Sequence, residues 1–274
     1  MELIEILQCP ACKGPLDNEL NCLRCKHAYK KDNDIYELMP DVQTPMPSAF
    51  SDINYLKLHR ISSGTDEYFY QNRNPMVNWV SSSGYRQIVK MMGKESGLVL
   101  ECGCGSGAFL MFNKNIDLNE YVMLDIDQEA LRSIKKRNCV GGVIHGSSYK
   151  LPFMDNSFDT VMSHAHLEHL LFLDIALDEI RRVLKPGGKF IASVPTEGGF
   201  LWTSGRLFTT ARYFKKMLDI DYIRANMIDH CNVIYQIERA IRRYFDVKKR
   251  GLFPLRIPSF HFNLTSTYLS IPLK

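Results

Sequence analysis

The segment Leu98-Val-Leu-Glu-Cys-Gly-Cys-Gly-Ser-Gly-Ala-Phe-Leu110 constrains this chain more than any other. It reads as a short buried strand, a glycine-dense turn and the start of a helix. Gly103, Gly105 and Gly107 remove the β-carbons that would hold a ligand away from the turn's backbone N–H groups. Glu101 places a carboxylate at the strand's end, where it can attract a cation or accept from hydroxyl and ammonium groups. Glycines at this spacing also serve ordinary turns, so the elements that follow decide what they are for.

Those elements come in a definite order. Tyr121-Val-Met-Leu-Asp125-Ile126-Asp127 is an apolar run ending in acid, followed by a helical stretch from Gln128 to Asn138. Asp125 stands 18 residues after Gly107, near the place where an acid accepts from ribose hydroxyls in nucleotide-binding α/β sheets. Next come Ser147-Ser148-Tyr149 ahead of Leu151-Pro152-Phe153, then the strand opening at Ser157-Phe158-Asp159. Arg182-Val-Leu-Lys185-Pro186-Gly187-Gly188 closes a helix before a strand over 189–194. With these five signatures in sequence, residues 80–250 resemble the class I S-adenosylmethionine-dependent methyltransferases of the type 11 branch.

The resemblance implies an α/β fold: a Rossmann-like, doubly wound seven-stranded sheet with the last strands antiparallel at its edge. It implies S-adenosyl-L-methionine as cofactor, held by Glu101, Gly103, Cys104, Gly105, Gly107, Asp125, Ile126, Ser147, Ser148 and Tyr149. Exposed amides at the glycine bend, with acids nearby, are expected to grip the cationic sulfur nucleoside. That branch often carries Asp before Leu-Pro-Phe to accept from the adenine amino group. Here Ser147 and Ser148 stand instead, so a hydroxyl, a backbone group or water must make that contact. In relatives the segment before the first strand folds over the cofactor, which nominates Tyr70 and Arg73 for its carboxylate; aromatic packing of an N-terminal helix is the competing reading.

A second module precedes this one. Cys9-Pro-Ala-Cys12 and Cys22-Leu-Arg-Cys25 are two knuckles separated by nine residues, giving four thiolates for the closed tetrahedral geometry of structural zinc. Gly14 suits the tight turn of such a knuckle, and His27 could replace one thiolate. The module resembles zinc ribbons ahead of some rRNA methyltransferases and surface-glycan methyltransferases, and the small zinc-ribbon activators of RNA and protein methyltransferases. Ile35–Pro40 matches its closing strand. So short a piece has no core without metal, so zinc binding and local folding are expected to be one event. Replacing Cys12 and Cys25 should release zinc and leave the catalytic domain folded. Cys102, Cys104, Cys139 and Cys231 have no partner spacing.

The expected organisation is a zinc ribbon over 1–40, a linker and N-terminal helices over 41–92, and a methyltransferase domain over 93–274 with a substrate cap at about 196–230. At 274 residues and 45% hydrophobic content the chain can bury one α/β core plus a small module. No run approaches the ~18–20 apolar residues of a membrane span and no signal peptide is evident, so a cytoplasmic location is expected. Residues 196–274 carry 13 Lys/Arg against 6 Asp/Glu, an excess open to an anionic substrate or to plain solvation.

Methyl transfer is an in-line displacement in which the enzyme aligns the partners and supplies a base when the nucleophile holds a proton. His164, His166, Glu168 and His169 follow the fourth strand, at the carboxyl edge where ligands bind, and one histidine near the methyl is the expected base. Were the stretch helical, His166 and His169 would share a face with Glu168 turned away. The alternative is His169 packing on the glycine loop. No Asn-Pro-Pro-Tyr element occurs, which speaks against methylation of adenine, cytosine or glutamine amino groups. The leading expectation is a methyltransferase acting on a hydroxyl of a sugar, glycan or other small molecule. An rRNA or tRNA base methyltransferase, with nucleic acid as partner, is the first alternative. A non-catalytic cofactor-binding scaffold whose ribbon docks a partner enzyme is the second. The oligomeric state stays open.

Overall fold

The structure, a computed structural model, describes residues 2–40, 51–56, 79, 82–93, 97–114, 116–136, 142–208 and 210–273. Its apolar runs form β1 (Lys30–Asp32), β2 (Ile35–Glu37), β3 (Val99–Cys102), β4 (Tyr121–Asp125), β5 (Gly142–His145), β6 (Phe158–His164), β7 (Leu184–Pro195), β8 (Phe245–Pro254) and β9 (Asn263–Pro272). The helices are α1 (Ser83–Met92), α2 (Gln128–Lys136), α3 (Leu173–Val183), α4 (Phe200–Phe208), α5 (Thr210–Leu218), α6 (Tyr222–Asp229) and α7 (Ile234–Tyr244).

The nine strands among the described residues join one sheet in the order β1-β2-β5-β4-β3-β6-β7-β9-β8. The strands from β2 to β7 in that order run parallel, and β9 inserts antiparallel between β7 and β8. Seven of them are the sheet expected from the sequence. The other two correct the count to nine: the ribbon's hairpin, β1 with β2, extends the sheet along β5.

Period-two alternation sorts the side chains onto two faces. Leu100, Cys102, Val122, Leu124, Ile144 and Val161 pack with the apolar sides of α3 and α7. Val99, Tyr121, Met123, Val143 and Met162 pack with α1 and α2 through Ile88, Met92, Leu131 and Ile134. Each fully buried large side chain contributes about 1.5–3 kcal/mol by leaving water.

Local differences from expectation have physical causes. After Gly107, in the left-handed region at φ 76, residues Ala108–Met111 wind as a 3₁₀ turn in place of the expected helix, with Phe109 drawn into the core. At the other side of the sheet β7 begins at Leu184, straight after α3, because Leu184 already pairs with Phe158 before the register shifts to Thr160–Lys189. Most of the expected linker, 41–50 and 57–78, lies outside the described residues, and so do Tyr70, Arg73 and Cys139.

The ribbon is built into the sheet. Ile35, Tyr36 and Glu37 pair with Val143, Ile144 and His145, and Glu37 accepts from Gln128 Nε2 at 2.8 Å and lies 2.5 Å from His145 Nδ1. The Gln8 amide donates to the Pro152 carbonyl at 3.0 Å. Leu7, Leu20, Tyr29 and Leu38 belong to the same apolar cluster as α3 and α7.

Candidate cofactor and acceptor site

The zinc-ligand set is two copies of one local design. In each knuckle the first cysteine's carbonyl accepts from a lysine four residues on, Lys13 or Lys26, at 2.8 and 3.0 Å. Both lysines are left-handed, at φ 59 and 63, and the following carbonyl (Gly14 or His27) accepts back from the cysteine amide at 2.9 and 2.8 Å. A Cβ on Gly14 would stand 2.6 Å from Arg24 Cβ, so the first knuckle needs glycine there. Sγ of Cys9 lies 3.7 Å from Sγ of Cys25, and Sγ of Cys12 lies 3.5 Å from that of Cys22. A tetrahedron with Zn–S bonds near 2.3 Å has edges of about 3.8 Å, so the four sulfurs fit a structural zinc. Burial opposes ionisation of Cys22, yet backbone N–H groups of Cys25 and Arg24 bring its thiol down to about 6. His27 packs against Tyr29, ring centroids 4.3 Å apart and planes tilted by 45°, and stands outside the sulfur cluster.

The glycine turn sits at the carboxyl end of β3. Glu101 is 1% exposed and accepts a short bond from the Tyr121 hydroxyl; burial pushes its carboxyl up to about 8, with the Tyr121 bond working the other way. Burial also raises Asp125, which takes the Gly105 amide at 2.7 Å and the Asp127 amide at 2.9 Å. The amides of Gly103 and Cys104 donate to the Leu124 carbonyl at 2.9 and 3.1 Å, and that of Gly107 to the Cys104 carbonyl at 2.9 Å. The expected nest of free amides is therefore corrected. These N–H groups hold the bend in shape, and a cationic ligand, having no phosphate, calls for oxygen acceptors and bare backbone. At Gly103 the missing Cβ makes room for the ring of His166, which packs on the bend.

Around the turn, Ser148 Oγ lies 2.9 Å from His166 Nε2, and Ser147 Oγ accepts from the Tyr149 amide at 3.3 Å. The Tyr149 hydroxyl accepts from the Phe172 amide at 3.5 Å. Ile126 is exposed and its carbonyl lies 3.1 Å from His145 Nε2. Cys104 is buried, and burial raises its thiol well above the usual range.

The four candidates at the end of β6 and just beyond it go to three different places. His164 packs against Tyr85, ring centroids 3.9 Å apart and planes tilted by 54°, and against Gly84 of α1. Burial lowers it to about 4, and its Nδ1 has no partner among the described residues. His166, lowered by burial to about 3, lies on the glycine turn. The histidine that packs there is thus His166, where His169 was the expected one. Leu167–His169 form a 3₁₀ turn, not the first turn of α3, so His166 and His169 meet different partners. His169 Nδ1 donates to the Asp229 carbonyl at 3.1 Å and lies 3.4 Å from its Oδ1. Burial works against its charge, but the Asp229 bond and charge together with Glu168 lift it to about 9.

Glu168 is 1% exposed; burial raises its carboxyl, while the charges of His169 and His230 act the other way. Its Oε2 has no hydrogen-bond partner among the described residues. Asn232 pins this turn to the cap's return segment, with Nδ2 3.1 and 2.7 Å from the Leu167 and Leu170 carbonyls and its amide 3.1 Å from that of Glu168. Opposite stand Glu197 and His230. The His230 Nδ1 makes a short bond to Glu197, whose other oxygen accepts from Asn226 Nδ2 at 2.5 Å. Burial raises Glu197, but these partners hold it below the usual range. Neither Asp229 nor His230 lies in a motif. The one readable signal is an acid–histidine pair ending a helix inside the expected cap.

Residues 100–192 match the family described as a methyltransferase domain, and residues 2–30 match the family of Trm112p-like proteins. An uncharacterized protein of Methanocaldococcus jannaschii is 33% identical over 184 residues, 66% of this chain and 70% of that protein. An uncharacterized methyltransferase of Schizosaccharomyces pombe is 40% identical over 109 residues, 35% of this chain and 38% of that protein. Malonyl-[acyl-carrier protein] O-methyltransferase of Buchnera aphidicola is 26% identical over 162 residues, 56% of this chain and 65% of that protein. The alignment thus spans under two thirds of both named enzymes. Among solved structures, the N-methyltransferase NodS from Bradyrhizobium japonicum in complex with S-adenosyl-L-homocysteine has a TM-score of 0.53 at 14% identity, covering 81% of this chain and 100% of that one. A complex between the Haloferax volcanii Trm112 methyltransferase activator and a methyltransferase gives 0.50 at 17% identity, covering 81% and 99%. These likenesses establish the shared fold.

Proposed function

The chain belongs to the S-adenosylmethionine-dependent methyltransferases, with a zinc ribbon at its N-terminal end, and on that premise we propose that it methylates a hydroxyl of a sugar, glycan or other small-molecule acceptor. S-adenosylmethionine supplies an electrophilic methyl on a sulfonium. The residues that would hold it are Glu101, Gly103, Cys104, Gly105 and Gly107 at the bend, Asp125 and Ile126 after β4, and Ser147, Ser148 and Tyr149 after β5. Asp125 is assigned the ribose hydroxyls. Asp125→Ala should abolish S-adenosylhomocysteine binding in calorimetry, and retained affinity would contradict that role.

The observation carrying the acceptor class is the half-buried cluster of His169, Asp229, His230 and Glu197, with the fully buried Glu168 beside it, between the β6 turn and the cap. Carboxylates and imidazoles bind hydroxyls well, and a hydroxyl nucleophile must lose its proton. His164 and His166 are poor bases where they stand, the first under α1 and the second held on the glycine turn. Glu168, with an unpartnered buried oxygen, is the group assigned to take the proton. Three of the cap's cations are already engaged: Arg224 with Asp52 at 2.6 Å, Lys215 with Asp219 at 2.7 Å, and Arg206 with Asn226. This pattern favours a small acceptor over a phosphate backbone.

The test is transfer of labelled methyl to a panel of nucleotide sugars and glycans against bulk RNA. Label in a sugar hydroxyl, lost by about 10²–10⁴ in Glu168→Gln with S-adenosylhomocysteine binding intact, is the expected result. Label in RNA bases alone would replace this reading with that of an RNA methyltransferase, the reading favoured by the Trm112p-like ribbon.

A further inference from the structure

One cluster outside the glycine turn has a composition that proton transfer alone does not require. His169, Asp229 and His230 each offer a ligand atom, and these atoms lie within 4.8 Å of one another. They come from two distant pieces of chain, the turn after β6 and the end of α6, brought together by Asn232. The imidazole rings meet edge to face with centroids 4.7 Å apart, and His230 Nε2 lies 3.8 Å from Asp229 Oδ2.

The outer contacts are those of metal-ligating histidines. Such a ligand almost always gives its second ring nitrogen to a carboxylate or a backbone carbonyl, which fixes the tautomer and the ring's direction. His230 gives Nδ1 to the Glu197 carboxylate, and His169 gives Nδ1 to the Asp229 carbonyl. This leaves Nε2 of each ring as the atom open to a cation, which must displace the proton that the Asp229 and Glu168 charges hold on His169. An independent observation is Glu168, 1% exposed, whose Oε2 has no partner among the described residues. A buried carboxylate oxygen left without a donor calls for a cation.

We infer that His169, Asp229 and His230 hold one divalent transition-metal cation beside the acceptor, with Glu168 supplying further negative charge. Two imidazoles and one carboxylate on one side of an ion leave positions open for substrate oxygens. Metal–ligand distances near 2.1 Å require the three donors to draw in by roughly an ångström from their present spread. The inference deepens the hydroxyl reading: a cation in this position coordinates an alkoxide and favours acceptors with neighbouring oxygens that can chelate it. It is chemically apart from the ribbon, whose soft thiolates select zinc, whereas nitrogen and carboxylate donors accept manganese.

The experiment is titration of the full-length, zinc-loaded protein with Mn²⁺, followed by loss of the free-ion electron paramagnetic resonance signal, with no acceptor present. One bound Mn²⁺ per chain is expected. Glu197→Gln should weaken it by about 10–100-fold, and Asp229→Asn should abolish it, while zinc content and S-adenosylhomocysteine binding stay unchanged. If Asp229→Asn loses S-adenosylhomocysteine binding, His169→Gln takes its place with the same expected loss. Absence of Mn²⁺ uptake by the native protein, or uptake unchanged in the folded variants, overturns the inference. Because metal uptake is read without an acceptor, its failure leaves the hydroxyl reading to the transfer assay.

Discussion

The zinc ribbon and the cap flank the same sheet and are stabilised in opposite ways. The ribbon draws its order from four sulfurs supplied by two local turns of four residues each. The cap, over α4 to α6, draws its order from partners far apart in the chain: Glu197 with His230, Arg224 with Asp52, Asp221 with Asn54. It adds a small apolar cluster of its own, Phe214, Ile220, Tyr222 and Ala225. The difference teaches that a metal concentrates folding information into spacing, whereas a hydrogen-bonded cap spreads it over residues that no pattern links.

Breaking the ribbon should have the largest effect. Cys12→Ser with Cys25→Ser should empty the zinc site by elemental analysis. Since Leu7, Leu20 and Tyr29 share the apolar cluster under β3 and β6, the catalytic sheet should also weaken, with the melting temperature falling by roughly 10 °C or more. A variant that loses zinc yet melts unchanged would make the ribbon independent, the outcome expected from sequence alone.

Next comes the sheet between the two flanks. Glu101 has its carboxyl raised from 4.5 to about 8. A raised folded value means that its stability is full below pH 4.5 and is lost as pH rises through about 8, a change of a few kcal/mol in the cofactor-free protein. Chemical denaturation between pH 5 and 9 measures it, and Glu101→Gln should flatten the slope. Insensitivity of the native protein would show that the carboxyl is ionised throughout.

Glu197→Ala removes a buried acceptor from His230 and Asn226 and should destabilise the cap by about 2 kcal/mol. Amide exchange over 210–230 should rise while exchange in β3 to β6 stays slow. A uniform rise would mean that the cap and the sheet unfold together. Lys13→Ala should do least. Its bond to Glu179 at 3.0 Å joins ribbon to α3, but the lysine is half exposed, and such pairs are worth about 0–1 kcal/mol. A loss beyond that would give this contact a role in docking the ribbon.

What could be read in advance follows the same division. Strands β3, β4, β6 and β7 and the four cysteines were readable because short apolar runs and C-x-x-C are local patterns. The place of β2 was not: Ile35–Glu37 and Gly142–His145 are both short, and only the completed sheet exposes the edge that joins them. The glycine turn was located correctly, but the direction of its amides was not, because it depends on the Leu124 carbonyl of the neighbouring strand. The histidines were found as a group; their dispersal to α1, the turn and the cap follows from a 3₁₀ turn that no residue in Ala165-His-Leu-Glu announces. Asp229 and His230 needed the folded cap to acquire meaning.

Both outermost strands of the sheet resist an uninvited neighbour. At one end β1 is three residues long, Lys30-Lys31-Asp32, and turns sharply at Asn33 and Asp34. At the other, β8 carries Lys248, Lys249 and Arg250 and is broken by register shifts at Val247/Lys249 and Phe253/Pro254. Short length, lysines and bulges are the devices that stop edge-to-edge polymerisation. By pairing along the more apolar flank of β5, the ribbon's hairpin replaces that edge with a short, charged one, a consequence separate from any part in catalysis.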